Sequence, residues 1–138
     1  MFRKILIPVD FSTKNLAAVK AVRSMVHGPR EQVTLLHVIE RINGLSSDEV
    51  RPFYRKLERV AAKELGAWSK KFPKGTPVKT EILYGNRAAE IVKYAADRKM
   101  DLILLSSHKV DPDNPGSGWG TTSYKVAILS QCPVLLIK

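Results

Sequence analysis

Five short apolar runs, separated by longer segments with helical periodicity, limit what this chain can fold into. Runs of this length are typical of strands buried in a parallel sheet, and parallel strands need right-handed helical crossovers between them. The third run is less apolar and alternates, which indicates an edge strand. The pattern predicts one α/β domain over residues 1–138, a doubly wound, flavodoxin-like sheet of order 3-2-1-4-5 with helices on both faces. The runs are residues 4–9, 33–38, 78–84, 102–105 and 133–137.

Three of the intervening helices have clear signals at their ends. The first is expected to be capped by Ser12 or Thr13 and to stop before Gly28, because hydroxyls favour helix starts and glycine favours helix ends. The third follows a turn at Asn86, and the last is predicted at about residues 121–130.

The second helical segment is expected to begin near Pro52. Ser46 and Glu49 have the spacing of a capping box, but a helix that began there would contain Pro52 in its interior. Residues 51–75 carry eight Lys or Arg against two Glu and so supply much of the net charge of +10. This basic segment is either a solvated helix face or a surface for RNA, DNA or an acidic protein.

Other composition signals narrow the class of protein. No recognisable nucleic-acid-binding motif accompanies the basic segment, so a nucleic-acid partner is not favoured. No apolar run approaches the roughly 18 residues that span a bilayer, and Asp10 interrupts the first run too early for a secretory signal. Cys132 is the single cysteine, which fits a reducing compartment. A cytoplasmic protein without a membrane segment is expected.

Ligands of doubly wound sheets bind outside the carboxyl ends of the strands, where the strand order reverses. In the predicted order this point lies between the first and fourth strands. Asp10 follows the first strand, where its carboxylate either meets ribose hydroxyls or caps the next helix. After the fourth strand, a long loop leads to Gly120, Thr121, Thr122 and Ser123 at the start of the last helix. That helix start favours phosphate, although an ordinary cap at the end of a surface loop would have the same residues.

Several segments together resemble the universal stress protein family. They are KILIPVDFS, VTLLHV, LILLSSH, GTTSYKV and CPVLLIK, in order along the whole chain. In family members that bind ATP, the fourth strand is followed by glycine, two residues, glycine, nine residues, and glycine with serine or threonine. In this chain the first two glycine positions fall on Ser106 and Lys109, and ten residues, one more than the pattern, separate Lys109 from Gly120. Only Gly120, followed by Thr121, matches.

The resemblance implies a stress-response regulator that binds an adenine nucleotide, ATP or else AMP or ADP, without substantial catalysis. Mg²⁺ would accompany the nucleotide, with Asp10 as its one candidate protein ligand. The nucleotide-binding residues implied by the motif and the strand ends are Pro8, Val9, Asp10, Ser12, Val38, Leu105, Ser106, Ser107, His108, Lys109, Gly120, Thr121, Thr122 and Ser123.

The family also suggests a different kind of function. Members without the glycine pattern hold no nucleotide, so the chain could instead be a nucleotide-free interaction module. Members commonly dimerise through the last strand, which corresponds to residues 133–137 here and predicts a homodimer. Ser107, His108 and Asp111 match a catalytic triad in residue type only, and no catalytic residue is predicted.

Overall fold

Each predicted apolar run forms a strand, and each intervening segment forms a helix. The computed structural model describes residues 2–41, 47–107, 113 and 121–138. The strands are β1 (Lys4–Pro8), β2 (Gln32–Ile39), β3 (Val78–Tyr84), β4 (Leu102–Ser106) and β5 (Val134–Ile137). The helices are α1 (Asn15–Met25), α2 (Ser47–Ser69), α3 (Arg87–Asp97) and α4 (Thr122–Leu129).

The five strands form one parallel sheet in the order β3-β2-β1-β4-β5, which confirms the predicted topology. Pairing aligns Ile5 of β1 with Val33 on one side and with Leu102 on the other. The strand order reverses between β1 and β4, so the carboxyl ends of these two strands border the crevice where a ligand is expected.

Apolar side chains fill both faces of the sheet. On one face, Val22 of α1 and Leu65 of α2 pack against Ile5 and Ile7. On the other, Ile91 of α3 and Val126 of α4 pack against Leu6 and its neighbours. Alternate residues of β1 thus face opposite layers, as the pleat of a strand requires.

The prediction of a side-chain cap for α1 at Ser12 or Thr13 is wrong. The residue before the helix is Lys14, which has helical angles and makes no side-chain cap hydrogen bond. The backbone carbonyls of Ser12 and Thr13 instead accept from the N–H groups of Asn15 and Leu16, at 3.1 Å each. A tight backbone turn therefore leads into the helix.

The predicted start of α2 near Pro52 is also wrong, because the helix begins at Ser47 and contains the proline. Proline removes one hydrogen bond, here to the carbonyl of Asp48. Asp48 lies in the exposed first turn, where water can satisfy that carbonyl, and the acidic Asp48 and Glu49 complement the helix dipole there. The cost of Pro52 is smaller at this end than in a helix centre.

The turn predicted before α3 is confirmed. The Asn86 side-chain oxygen accepts a hydrogen bond from the Ala89 N–H at 3.0 Å and caps the helix. Gly85 has a φ of +141°, and a Cβ there would lie 2.8 Å from a carboxylate oxygen of Glu90. The flexible Glu90 side chain could move away, so it is the positive φ that favours glycine where β3 turns into α3.

Candidate functional site

A cavity of about 500 Å³ opens at the carboxyl ends of β1 and β4. Its walls come from the ends of β1, β2 and β4 and from the first turns of α1, α3 and α4. Ten of the fourteen residues predicted from the sequence line it: Pro8, Val9, Asp10, Val38, Leu105, Ser106, Ser107, Thr121, Thr122 and Ser123.

Of the other four predicted residues only Ser12 is among the described ones, and it is not part of the lining. Ser12 lies in the described β1–α1 loop, and its backbone N–H donates to Asp10 Oδ1 at 2.9 Å. Ser12 therefore lies behind Asp10, whose carboxylate faces the cavity. His108, Lys109 and Gly120 fall outside the described residues.

Asn15 shapes the loop that presents Asp10. Its side-chain oxygen accepts from the backbone N–H groups of Asp10 at 2.9 Å and Phe11 at 3.0 Å. The Asn15 side chain is buried, with 5% of its residue surface exposed. Two hydrogen bonds to one buried oxygen fix the backbone on both sides of the Asp10 carbonyl.

Phe11 follows with a positive φ of 68°, which is uncommon for a bulky residue. Its ring packs on His37, with the two ring centroids 4.5 Å apart. It also packs edge-on against Trp68, with the centroids 6.5 Å apart. His37 Nδ1–H donates to the Val9 carbonyl at 2.8 Å, because a carbonyl can only accept. Ring packing and the Asn15 hydrogen bonds together hold the strained loop conformation.

Asp10 is a carboxylate at neutral pH. Partial burial raises the pKa of Asp10, but hydrogen bonds from Ser12 and the positive charge of Arg87 outweigh this and hold the pKa below its ordinary value. The carboxylate can therefore accept hydrogen bonds from a ligand hydroxyl.

Ser106 connects β4, one of the strands that border the crevice, to the start of α1. Its hydroxyl donates to the Lys14 carbonyl at 2.8 Å, which links the end of β4 to the start of α1. The first glycine position of the family pattern is therefore occupied by a hydroxyl that makes a specific contact with the adjoining loop.

The start of α4 brings together a cluster of hydroxyls. Ser123 Oγ lies 3.1 Å from Ser107 Oγ and 3.3 Å from Thr121 Oγ1. Ser107 and Ser123 are buried. The first backbone N–H groups of a helix have no acceptor within the helix, so this end of α4 offers hydroxyl and N–H donors to an anion.

Sequence reasoning missed seven lining residues: Lys14, Asn15, Leu36, Glu40, Arg87, Ile91 and Lys125. Glu40 directly follows β2, and Arg87 opens α3, so the rule that ligands bind at carboxyl strand ends could have indicated both. Arg87 Nε lies 3.9 Å from Glu40 Oε1, and both side chains are largely exposed. Three cations and two carboxylates therefore face the cavity from the described lining residues.

Comparison with known proteins places this fold and this chain in one family. Residues 1–138 match the Universal stress protein family. Universal stress protein MJ0577 of Methanocaldococcus jannaschii is 32% identical, with 78% of each chain covered. Universal stress protein YxiE of Bacillus subtilis is 29% identical over the whole of both chains.

Solved structures agree with the sequence comparison. The structure of MJ0577 has a TM-score of 0.85 at 33% identity and covers 100% of this chain and 96% of that one. A universal stress protein solved in complex with cAMP, with a TM-score of 0.68 at 16% identity, shares the fold over 99% of this chain and 97% of that one. One from Archaeoglobus fulgidus in complex with dAMP, with a TM-score of 0.62 at 14% identity, does so over 99% and 98%. The chain belongs to the universal stress protein family.

Proposed function

We propose that this protein binds an adenine nucleotide, ATP in the first place, in the cavity between β1 and β4 and acts as a stress-response regulator. The observation that carries the proposal is the composition of that cavity. An apolar wall, the Asp10 carboxylate and the start of α4 face one volume of about 500 Å³. Binding cavities for small molecules commonly have this size and this combination of apolar walls with few polar groups.

The nucleotide's three parts have matching surroundings. Val9, Val38 and Leu105 offer apolar contact to the adenine. Asp10 offers an acceptor to ribose hydroxyls, the role that an acidic residue has in other doubly wound nucleotide-binding folds. Thr121–Ser123 offers phosphate the positive end of the α4 dipole.

Charged side chains at the rim support a polyanionic ligand. Lys14, Arg87 and Lys125 line the cavity, and cations near phosphate strengthen binding through charge-assisted hydrogen bonds. Asp10 and Glu40 supply carboxylates that, with phosphate oxygens, are the ligands Mg²⁺ prefers. The residues thus fit a nucleotide that carries Mg²⁺, with Asp10 the better placed because Glu40 faces Arg87.

Related folds hold the same class of ligand. Two of the solved universal stress proteins are complexes with cAMP and dAMP, both adenine nucleotides. This supports adenine as the base in the present cavity.

The role is binding without substantial catalysis. Membership of the universal stress protein family favours a sensor whose nucleotide changes its interactions with partners. The cytoplasmic location expected from the sequence stays a prediction. Within the described ranges no helix combines the length and apolar character needed to cross a membrane.

Calorimetric titration with ATP and Mg²⁺ tests the proposal. Wild-type protein should give a saturable heat, and Thr121→Glu should weaken ATP binding at least about tenfold, because a carboxylate at the start of α4 repels phosphate. Thr121→Gln has nearly the same shape without the charge and should lose much less. Adenosine should bind both variants alike.

Absence of any heat at millimolar ATP would refute the proposal. Equal losses in the Glu and Gln variants would show that phosphate does not lie at the start of α4.

We further propose that the protein is a homodimer joined along β5. This strand is an edge of the sheet, and Leu135 on β5 and Ile128 on α4 are exposed to 42% and 77%. Apolar side chains beside an open strand edge favour pairing with a second copy. Dimerisation would serve either a nucleotide sensor or a nucleotide-free interaction module.

A further inference from the structure

The solvent side of α2 carries apolar residues at intervals of seven. Phe53, Val60 and Ala67 are all exposed, Phe53 to 47% and Val60 to 51%. Seven residues are close to two turns, so the three side chains lie along one line on the helix surface. The line is about 21 Å long at 1.5 Å per residue.

A second row repeats with the same interval. Lys56, Lys63 and Lys70 each follow one of the apolar residues by three positions, the last directly after the helix end. All three are exposed. None takes part in the ion pairs recorded among the described residues, which involve Arg51, Lys79 and Arg87. We name these six residues the α2 stripe.

Packing within the chain accounts for little of the α2 stripe: Phe53 contacts the ring of Tyr54, with the centroids 5.7 Å apart, yet stays 47% exposed. The core face of α2 includes Leu65 and Trp68, which pack in the core cluster, and the buried Ala61.

A single exposed apolar residue is ordinary. Phe53, Leu57, Val60 and Ala67 fall on positions spaced alternately four and three apart, with Glu64 at the remaining position, and this is the spacing of a helix that packs against another helix.

From this spacing we infer that the α2 stripe is a docking surface for an acidic amphipathic helix of a partner protein. The partner's apolar residues pack on Phe53 and Val60, and its carboxylates meet the lysines. Charge complementarity fixes the sign of the partner, because the three lysines of the α2 stripe outnumber Glu64, the carboxylate that neighbours both Val60 and Ala67 on the helix surface. This surface is separate from the nucleotide cavity, whose lining includes no residue of α2.

The same observations favour a helix over other anionic partners. Of the three apolar residues only Phe53 offers a ring on which a base could stack, whereas single-stranded nucleic acid is bound by successive aromatic side chains. A membrane-surface helix needs a broad apolar face, but the broad face of α2 is already buried in the core. A narrow apolar line flanked by one row of cations matches the seam of a helix pair.

Fluorescence anisotropy with a labelled synthetic peptide tests the inference. The peptide has three heptads, with isoleucine and leucine at its a and d positions and glutamate elsewhere, so that repulsion between glutamates discourages self-pairing. The full-length protein should bind it saturably and more weakly as salt rises. Phe53→Ala/Val60→Ala and Lys56→Glu/Lys63→Glu should each weaken binding at least about tenfold.

Matched controls separate this surface from general attraction to negative charge. Lys20→Glu/Lys93→Glu makes the same change in net charge on α1 and α3 and should bind the peptide like wild type. A scrambled peptide of equal composition should bind poorly.

Three results would overturn the inference. The first is no saturable binding, and the second is equal affinity for the heptad and scrambled peptides. The third is tighter binding of a single-stranded RNA probe that is insensitive to Phe53→Ala/Val60→Ala, which would identify a nucleic-acid surface instead.

Discussion

Asn15 is the residue that most directly converts the β1–α1 connection into a binding loop. Its side-chain oxygen holds the N–H groups of Asp10 and Phe11, and the loop passes through a positive φ at Phe11. A strained backbone persists only when its surroundings determine it strongly. The orientation of the Asp10 carboxylate therefore depends on a buried amide five residues away.

Replacing Asn15 with leucine should both destabilise the protein and weaken nucleotide binding. Two backbone N–H groups lose their acceptor, which should lower the free energy of unfolding by about 2 kcal/mol. Denaturant unfolding and ATP calorimetry measure the two effects. Asn15→Asp keeps an acceptor oxygen and should retain most of both. Unchanged stability in Asn15→Leu would show that the two hydrogen bonds do not hold the loop.

For individual residues, the sequence predicted which side chains lie at the site better than it predicted what each of them does there. Asp10 was found because it directly follows an apolar run. Asn15 was not, because its side-chain oxygen accepts from backbone N–H groups that only the folded loop brings to it. Ser12 was expected to face the ligand or cap α1, whereas its N–H group supports Asp10 from behind.

Among the elements of the described chain, α2 is the longest. Its 23 residues span about 34 Å at 1.5 Å per residue, whereas the seven residues of neighbouring β3 span about 23 Å. Tyr84, the last residue of β3, donates a hydrogen bond to Glu58. The rings of Tyr54 and Tyr84 pack edge-on with their centroids 5.8 Å apart. These contacts attach the first half of α2 to the sheet.

The pKa of Tyr84 depends on the contact between Tyr84 and Glu58. Partial burial, the hydrogen bond to Glu58 and the charge of Glu58 together raise the pKa of Tyr84 from 10.0 to about 12. Because the folded protein holds this proton more tightly, the contact stabilises the fold fully below pH 10 and loses its effect as pH rises toward 12.

The difference between the phenolate absorbance titrations of wild type and Tyr84→Phe should therefore show a midpoint near pH 12. Glu58→Gln removes the carboxylate and should move that midpoint toward the ordinary value. A Tyr84 midpoint near pH 10 in wild type would contradict the Glu58 contact.

Element boundaries show what the sequence could and could not determine. The bounds of β3 agree with the prediction, because an edge strand ends at the clear turn signal Gly85-Asn86. The predicted start of α2 is wrong because a proline does not always end a helix. The free-energy cost of Pro52 depends on whether the carbonyl four residues before it lies in solvent.

The whole molecule follows from the alternation of strand and helix. Parallel pairing and right-handed crossovers leave few possible orders, so the 3-2-1-4-5 sheet and its switch point were predictable. The position of the cavity was predictable, and the strand-end rule could have indicated Arg87, which reaches the cavity from α3 after the edge strand β3. Lys14 and Lys125 carry no such signal, because they lie just before α1 and inside α4.

The proposed dimerisation through β5 concerns the whole molecule. Leu135→Glu should shift wild-type dimers toward monomers in analytical ultracentrifugation, because a carboxylate at a paired apolar edge is costly to bury. Leu16→Glu places the same charge on the exposed surface of α1 and should leave the dimer intact. A wild-type monomer at all concentrations would contradict the proposal.

The central claim is that an adenine nucleotide occupies the cavity between β1 and β4. A crystal structure of the protein grown with ATP and Mg²⁺ tests it most directly. We expect electron density for the adenine beside Val9 and Val38, for the ribose at Asp10 and for the phosphates at the start of α4. Crystals grown at saturating ATP with the nucleotide bound elsewhere, or with no nucleotide in this cavity, would contradict it.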